Sequence, residues 1–340
     1  MALRAYLFIV FLTFAGTTCA CTSQIHDEIL SLKCNLRFIA GKVLNQKDLA
    51  PIERSLKRNG FSGFDGQIRS IFREVGFRIY PQFTYEPNLN GGNPQKNLKV
   101  GHLEFISDPN FFRNEGLAAG ASLNASGRFS WPDGKFFDFK ASASQKKALV
   151  YDDMKLTQKY FSSCLNKRVS DWNFLDLCLN IISSKKLLSS SKTKTISFGR
   201  TAYLDSNENT EMLAFKVSRE FGGFDFVNYT ILKENIDFNG FGQVFKVGYS
   251  QSSNNFAVRK YEFDVDSVLN IGIFESIGAS MKIINLEPLL GYRRQDITTA
   301  LKATASLNSH ISISFSHEIT NSSIDYFDEK NSTISINLAL

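Results

Sequence analysis

Beyond residue 20 the 340-residue chain contains no run approaching the roughly 18 consecutive apolar residues that a membrane-spanning helix needs. Helical spans are therefore excluded. Its formal net charge is +6, yet no stretch of five Lys or Arg occurs, and a nucleic-acid groove wants clustered cations interleaved with stacking aromatics. Nucleic acid is not an expected partner. Histidine is scarce, with His26, His102, His310 and His317 alone. His310 and His317 are seven apart on one strand pattern, hence on opposite faces and about 23 Å apart, so they cannot share a metal. His102 precedes Glu104, Ser107 and Asp108, an arrangement read as a solvated or hydrogen-bonded pair rather than a hydrolytic cluster. No CxxC is present, which argues against a zinc site.

Other chemistry is also missing. The stretch "DSNENTEM" begins like a calcium loop at Asp205, but Thr210 stands where the sixth-position Gly belongs and Lys216 where the bidentate Glu belongs. The acidic "DYFDEK" near the end, with Asp325, Asp328 and Glu329, reads as a solvated loop. "LNGGNP" is followed by no helix carrying Lys and Ser or Thr, so it implies no phosphate cradle. The expectation is a non-enzyme with no catalytic residue, no metal and no cofactor.

What the chain does have begins at its start. Arg4, an apolar core from Ala5 to Ala15 and small residues up to Ala20 form a secretory signal, residues 1–20. Cys21 leaves lipidation as a minor alternative. In an oxidising exported compartment, Cys164 and Cys178 around "LNKRVSDWNFLDL" are expected to form a disulfide contributing about 3 kcal/mol of chain entropy. Cys21 with Cys34 is a second candidate bridge. Residues 21–75 read as a short helical segment, with Ile25, Ile29, Leu32 and Leu36, then Ile68, Ile71, Phe72 and Val75, at three-and-four spacing.

From residue 76 the period changes to two. Phe137, Phe139, Ala141 and Ala143 alternate with Asp138, Lys140 and Ser142, and Ile311, Ile313 and Phe315 alternate with Ser312, Ser314 and Ser316. Turn clusters such as "WPDGK", "SNENT" and "SSNN" punctuate the run. At roughly 19 residues per strand and its connection, residues 76–340 accommodate about 14 strands. So many antiparallel strands must hide their edges in a sandwich, a solenoid or a closed barrel. The export signal, the strand length, the Gly-rich turns and the final strand favour an all-β, closed antiparallel transmembrane barrel.

That final strand, "STISINLAL", places Ile334, Ile336, Leu338 and Leu340 at alternate positions. It resembles the outer-membrane β-signal read by the barrel-assembly machinery of Gram-negative bacteria, with Leu340 in place of the usual terminal aromatic residue. The segments from Tyr80 to Trp131, "CLNKRVSDWNFLDLC" and "NSSIDYFDEKNSTISINLAL" resemble outer-membrane barrels of alphaproteobacteria. The turn Asn88-Leu89-Asn90 and the closing "S-x-I-D-Y-x" segment are similar to the barrel of the surface lipoprotein assembly modifiers. That family carries a helical-repeat domain before its barrel, for which the segment here is too short.

The resemblance implies assistance to protein export or surface display through the outer membrane, with outer-membrane lipid and an exported lipoprotein as partners. The alternative is a porin-like channel for small solutes, and a secreted soluble β-protein is a more distant one. In either barrel reading Lys140, Lys216, Arg219, Lys246, Arg259 and Glu262 are expected to line the lumen. Trp131, Tyr203, Tyr249 and Tyr292 are expected in the interfacial belts.

Overall fold

The computed structural model describes residues 27–40, 46–61 and 71–338, apart from 101, 107, 132, 152, 206–208, 223–224, 238–240, 256, 272–273 and 309–310. The signal, Cys21 and Leu340 lie outside the described residues, as do His26 and His310. Two helices come first, α1 (Glu28–Ile39) and α2 (Gln46–Arg58). Asp27 starts α1 by accepting from the backbone N–H of Ile29 and Leu30 at 2.9 and 3.1 Å, two of the four donors that a helix start leaves unpaired.

The strands follow as β1 (Phe72–Glu86), β2 (Asn97–Val100), β3 (Leu103–Ile106), β4 (Gly116–Trp131), β5 (Lys135–Ala148), β6 (Lys155–Ser170), β7 (Asn173–Lys185) and β8 (Ser190–Asp205). Then come β9 (Asn209–Phe221), β10 (Phe226–Asp237), β11 (Gly242–Ser252), β12 (Arg259–Ile271), β13 (Phe274–Leu289), β14 (Tyr292–Asn308), β15 (Ile311–Ser322) and β16 (Glu329–Leu338). The short β2 and β3 pair with each other. The other 14 strands form a closed antiparallel barrel, in which β1 pairs with both β4 and β16. Closure leaves no free sheet edge.

One expectation fails at the start of the barrel. Phe72 and Val75, read as part of a helix, belong to β1, where Phe72 pairs with Ser130 and Val75 with Gly127. The segment also satisfies period two through Val75, Phe77 and Ile79, and pairing with β4 decides between the two patterns.

Directly paired residues share a face, so the register assigns every side chain to one side of the wall. Leu165, Leu177 and Phe198 form one cross-strand row at 48–55% exposure. Their neighbours Ser162, Cys178 and Ser197 are buried. The row is the outside. It continues through Val217, Tyr229, Tyr249, Tyr261 and Ile283. A closed barrel whose outward positions are apolar and whose inward positions are largely polar is built to sit in lipid.

On one side the strands join through connections of two to four residues, and both chain ends of the barrel emerge there. The other side carries the longest connection, residues 87–115, which contains β2 and β3. Short turns mark the periplasmic rim and long loops the extracellular one.

Candidate functional site: the lumen and its two inserts

A 14-stranded barrel with strands about 4.8 Å apart and tilted about 40° is about 28 Å across at the backbone, wide enough for water once side chains are subtracted. Two segments narrow it. At the periplasmic end α1 lies inside, against β8, β9 and β10, while α2 lies against β1 and β4. Ile29, Leu30 and Cys34 pack on the inward Phe136, Phe174, Tyr203, Met212 and Ile236. Phe61, just past α2, extends this core against Trp172 at 4.9 Å and Phe174 at 6.1 Å.

Polar anchors surround that core. Arg128 on β4 donates to both carboxylate oxygens of Asp138 on β5, at 2.5 and 2.6 Å. Its remaining nitrogen reaches Glu28 at 3.0 Å and Asn59 at 2.6 Å, so one guanidinium ties two strands to both ends of the insert. Arg58 binds Glu28 and Glu74, each at 3.2 Å. On the far side Lys33 donates to the carbonyl of Tyr203 at 2.8 Å and pairs with Asp205 at 3.1 Å. The Tyr203 hydroxyl donates to Asp27 at 2.8 Å, and Glu234 accepts from the Asp27 N–H at 3.1 Å. Burial pushes the Asp27 carboxyl above the ordinary carboxylate range, against the opposing effect of the Tyr203 hydroxyl.

The second insert enters from the extracellular end. Leu89, from the 87–115 connection, is buried on the inward Ala118, Ala148 and Leu156. Gly91, with φ near +73°, lets the chain pass so close to Ser189 that a Cβ would collide with its side chain. Lys186 binds the Asn88 carbonyl at 2.5 Å, and Leu188 N–H donates to Asn90. At the other side of the mouth Gln95 donates to the Asp328 carbonyl at 3.1 Å and Arg113 lies 3.7 Å from Glu329. The loop is a strap across part of the mouth.

The remaining wall is charged. The inward positions of β11 to β15 carry Lys246, Lys260, Lys282 and Lys302 with Glu262, Asp264, Asp266 and Glu318. Lys246 sits 2.8 Å from Asp264 and 2.9 Å from Glu262. With Arg294 paired to Asp296 at 2.7 Å on β14 as well, cations and anions together make a mixed surface, not a cationic one. Gly278 makes room for it, since a Cβ there would collide with the Asp266 carboxylate.

Of the residues expected to line the lumen, Lys140, Lys216, Lys246 and Glu262 point inward. Arg219 and Arg259 do not. Arg219 pairs with Ile196 and Val227 on the outer face, and Arg259 pairs with Gln251 and Asn285 there. Both lie near extracellular strand ends, where a long cationic side chain reaches out of the hydrocarbon. Tyr203 is also corrected, from belt residue to lumenal core residue. Trp131 is outward at the periplasmic end of β4, Tyr249 stacks outward between Tyr229 and Tyr261, and Tyr292 is exposed at the β13–β14 turn.

Cys164 and Cys178 are directly opposite, with Cα atoms 4.1 Å apart, and are joined as a disulfide on the inner face. Ile334, Ile336 and Leu338 face outward on β16. His317 also faces outward, bonded to Ser332 at 2.8 Å. Among the described residues no group of three His, Cys, Asp or Glu is placed to hold a metal ion.

The chain is similar, at low identity, to several solved bacterial structures. The chain overlays OccK10 (OpdN) of Pseudomonas aeruginosa with a TM-score of 0.43 at 8% identity, covering 78% of this chain and 99% of that one. OprB of Pseudomonas putida gives a TM-score of 0.47 at 6% identity over 78% and 94%. A triple mutant of the Rhodopseudomonas blastica porin gives 0.41 at 9% over 78% and 100%. No protein-family model matches the sequence, and a search of curated proteins finds no relative. The closed wall and apolar outer face make the chain an outer-membrane barrel of the Gram-negative type.

Proposed function

We propose that the chain is a porin-like channel passing small polar solutes along the β11–β15 side of its lumen. The observation that carries this reading is the distribution of inward side chains. Apolar inward residues gather where the inserts dock, on β4 to β10, whereas β11 to β15 present lysines and carboxylates suited to a hydrated path. Charged side chains lining a bore select solutes by charge. The balanced set here fits weak selectivity.

The full chain, folded in detergent and reconstituted in planar bilayers, should give steady unitary conductance with a reversal potential near zero in a salt gradient. Removing three anions by Glu262→Gln, Asp264→Asn and Asp266→Asn should shift that potential toward anion selectivity. Folded protein that gives no conductance steps defeats the proposal.

A second reading, assistance to export of a lipoprotein, has its own support. The strap exposes Leu103, Phe105, Ile106 and Phe111 around β2 and β3, an apolar surface at the extracellular mouth. Deleting residues 97–106 should impair display of a lipoprotein cargo under that reading, and leave display unchanged under the channel reading.

A further inference from the structure

A furrow of about 260 Å³ is cut into the lipid-facing wall on β12 to β15. Its floor is made by Ala279 on β13 and Thr299 on β14. In cross-strand register Ala279 sits between Val265 and Leu301, and Thr299 between Met281 and Ile319. Two short side chains are thus walled by four long ones, of which Met281 and Leu301 stand exposed as ridges.

From Ala279 to Thr299 the floor steps one strand over and two residues toward the extracellular side. With strands about 4.8 Å apart and tilted about 40° in the sense set by the register, that step rises about 8 Å along the membrane normal and moves about 1 Å sideways. The furrow stands upright in the membrane. Its walls are two strand spacings apart, about 9.6 Å between backbones, too narrow for an α-helix about 10–12 Å across. A single hydrocarbon chain, about 4 Å thick at carbon contact distance, matches it. The volume is ample, since an apolar cavity of about 150 Å³ already holds benzene.

His317, in register with Leu301, lines the same furrow. Its Nδ1 lies 2.8 Å from Ser332 Oγ, and with that hydroxyl donating to Nδ1 the neutral ring carries its proton on Nε2. Among the described residues Nε2 has no partner. A donor at hydrocarbon depth calls for an acceptor. The upper row of the furrow, from Phe263 to Ile319, lies four and three residues from the extracellular strand ends at Arg259 and Ser322, but eight from the periplasmic ends at Ile271 and Ile311. The furrow therefore belongs to the extracellular half of the wall.

We infer that the furrow binds one acyl chain of an outer-leaflet lipid. The ester or amide carbonyl of that chain accepts from His317 Nε2, and its methylenes descend over Ala279 between the ridges of Met281 and Leu301. The inference rests on the barrel's crossing a membrane, not on what passes through it.

The test places a diazirine-bearing side chain at Met281 in the full chain, expressed in a Gram-negative outer membrane, and identifies the occupant from the mass of the photoadduct. The adduct should be lipid A, the acylated lipid of the outer leaflet, in at least fivefold excess over the same probe at the outward Leu177 on the opposite side of the barrel. Ala279→Phe fills the floor and should abolish the excess, whereas Ala141→Phe, equally outward on β5, should leave it unchanged. His317→Leu should lower the yield at least threefold, and His317→Gln, which restores an N–H donor, should recover it. Each variant should keep its heat-modifiable folded form, because none of these side chains faces the lumen. Equal yields at Met281 and Leu177, adducts of a phospholipid or of a protein, a second copy included, or an undiminished excess in Ala279→Phe overturns the inference. Loss of conductance in the wild type would count against the channel reading alone.

Discussion

Replacing Arg128 with Met separates the stability of the barrel from the docking of its periplasmic insert. The substitution keeps most of the aliphatic stem, including its packing near Phe136, whose ring centre lies 4.7 Å from the guanidinium. It deletes the bidentate pair with Asp138 and both bonds to the insert. Truncating one member of a fully buried ion pair costs about 3–5 kcal/mol, because the partner is left uncompensated. Side-chain exposures of 14% for Arg128 and 21% for Asp138 reduce that to about 2–3 kcal/mol through residual solvation.

Glu28 keeps Arg58, and Asn59 keeps the Ser55 carbonyl at 2.9 Å. The insert itself should therefore lose about 2 kcal/mol, the scale of a charge-assisted hydrogen bond. That is about a 30-fold drop in its docking equilibrium. Trypsin applied at the periplasmic face reads the undocked population when opening is faster than cleavage. Cleavage at Lys33, Arg37, Lys57 or Arg58 should accelerate by about that factor. Adding Asp138→Asn should restore the barrel's heat-modifiability midpoint and leave cleavage fast. Wild-type cleavage rates in R128M, or recovery of docking in the double variant, would refute the reasoning.

Three further outcomes follow from named contacts. The C164S/C178S variant should lose up to about 3 kcal/mol, seen as a lower heat-modifiability midpoint, and dithiothreitol should lower the wild-type midpoint by at least as much. Gly278→Ala should leave that midpoint nearly unchanged, because the collision is with the mobile end of Asp266, while the displaced carboxylate shifts the reversal potential toward cations. Because its carboxyl is held above the ordinary range, Asp27 favours docking most when protonated. Tryptic release of the insert should therefore be slowest below pH ~4 and rise as pH passes through the raised value, and Asp27→Asn should flatten this dependence.

The barrel was legible because period two persists over the whole second part of the chain, and a pattern repeated across so many strands survives local exceptions. About 14 strands were expected, and 14 close the wall. Facing was less legible, because polarity served as its proxy. The correct rule was available in the numbering. Lys216 and Arg219 are three positions apart on β9, as are Arg259 and Glu262 on β12, and residues an odd number apart in a regular strand cannot share a face. Cations near strand ends extend toward headgroups from the outer face, so charge there carries little information about direction.

The inserts left a fainter mark, in places where the alternation breaks. Phe136 with Phe137, Phe174 with Leu175, Tyr203 with Leu204 and Met212 with Leu213 are consecutive apolar pairs, which make both faces of the wall apolar. In each pair the second residue faces lipid and the first meets α1 or Phe61. All four pairs lie near the periplasmic ends of their strands, so an apolar object must fill that part of the lumen. The same logic divides the wall into two parts. Positions that hold the insert cannot be made charged without expelling it, whereas β11 to β15 bear no such load and can vary their lysines and carboxylates freely. Docking strength and ion preference should therefore respond to different sets of residues, with Arg128 and Tyr203 setting the first and Lys246, Glu262 and Asp264 the second.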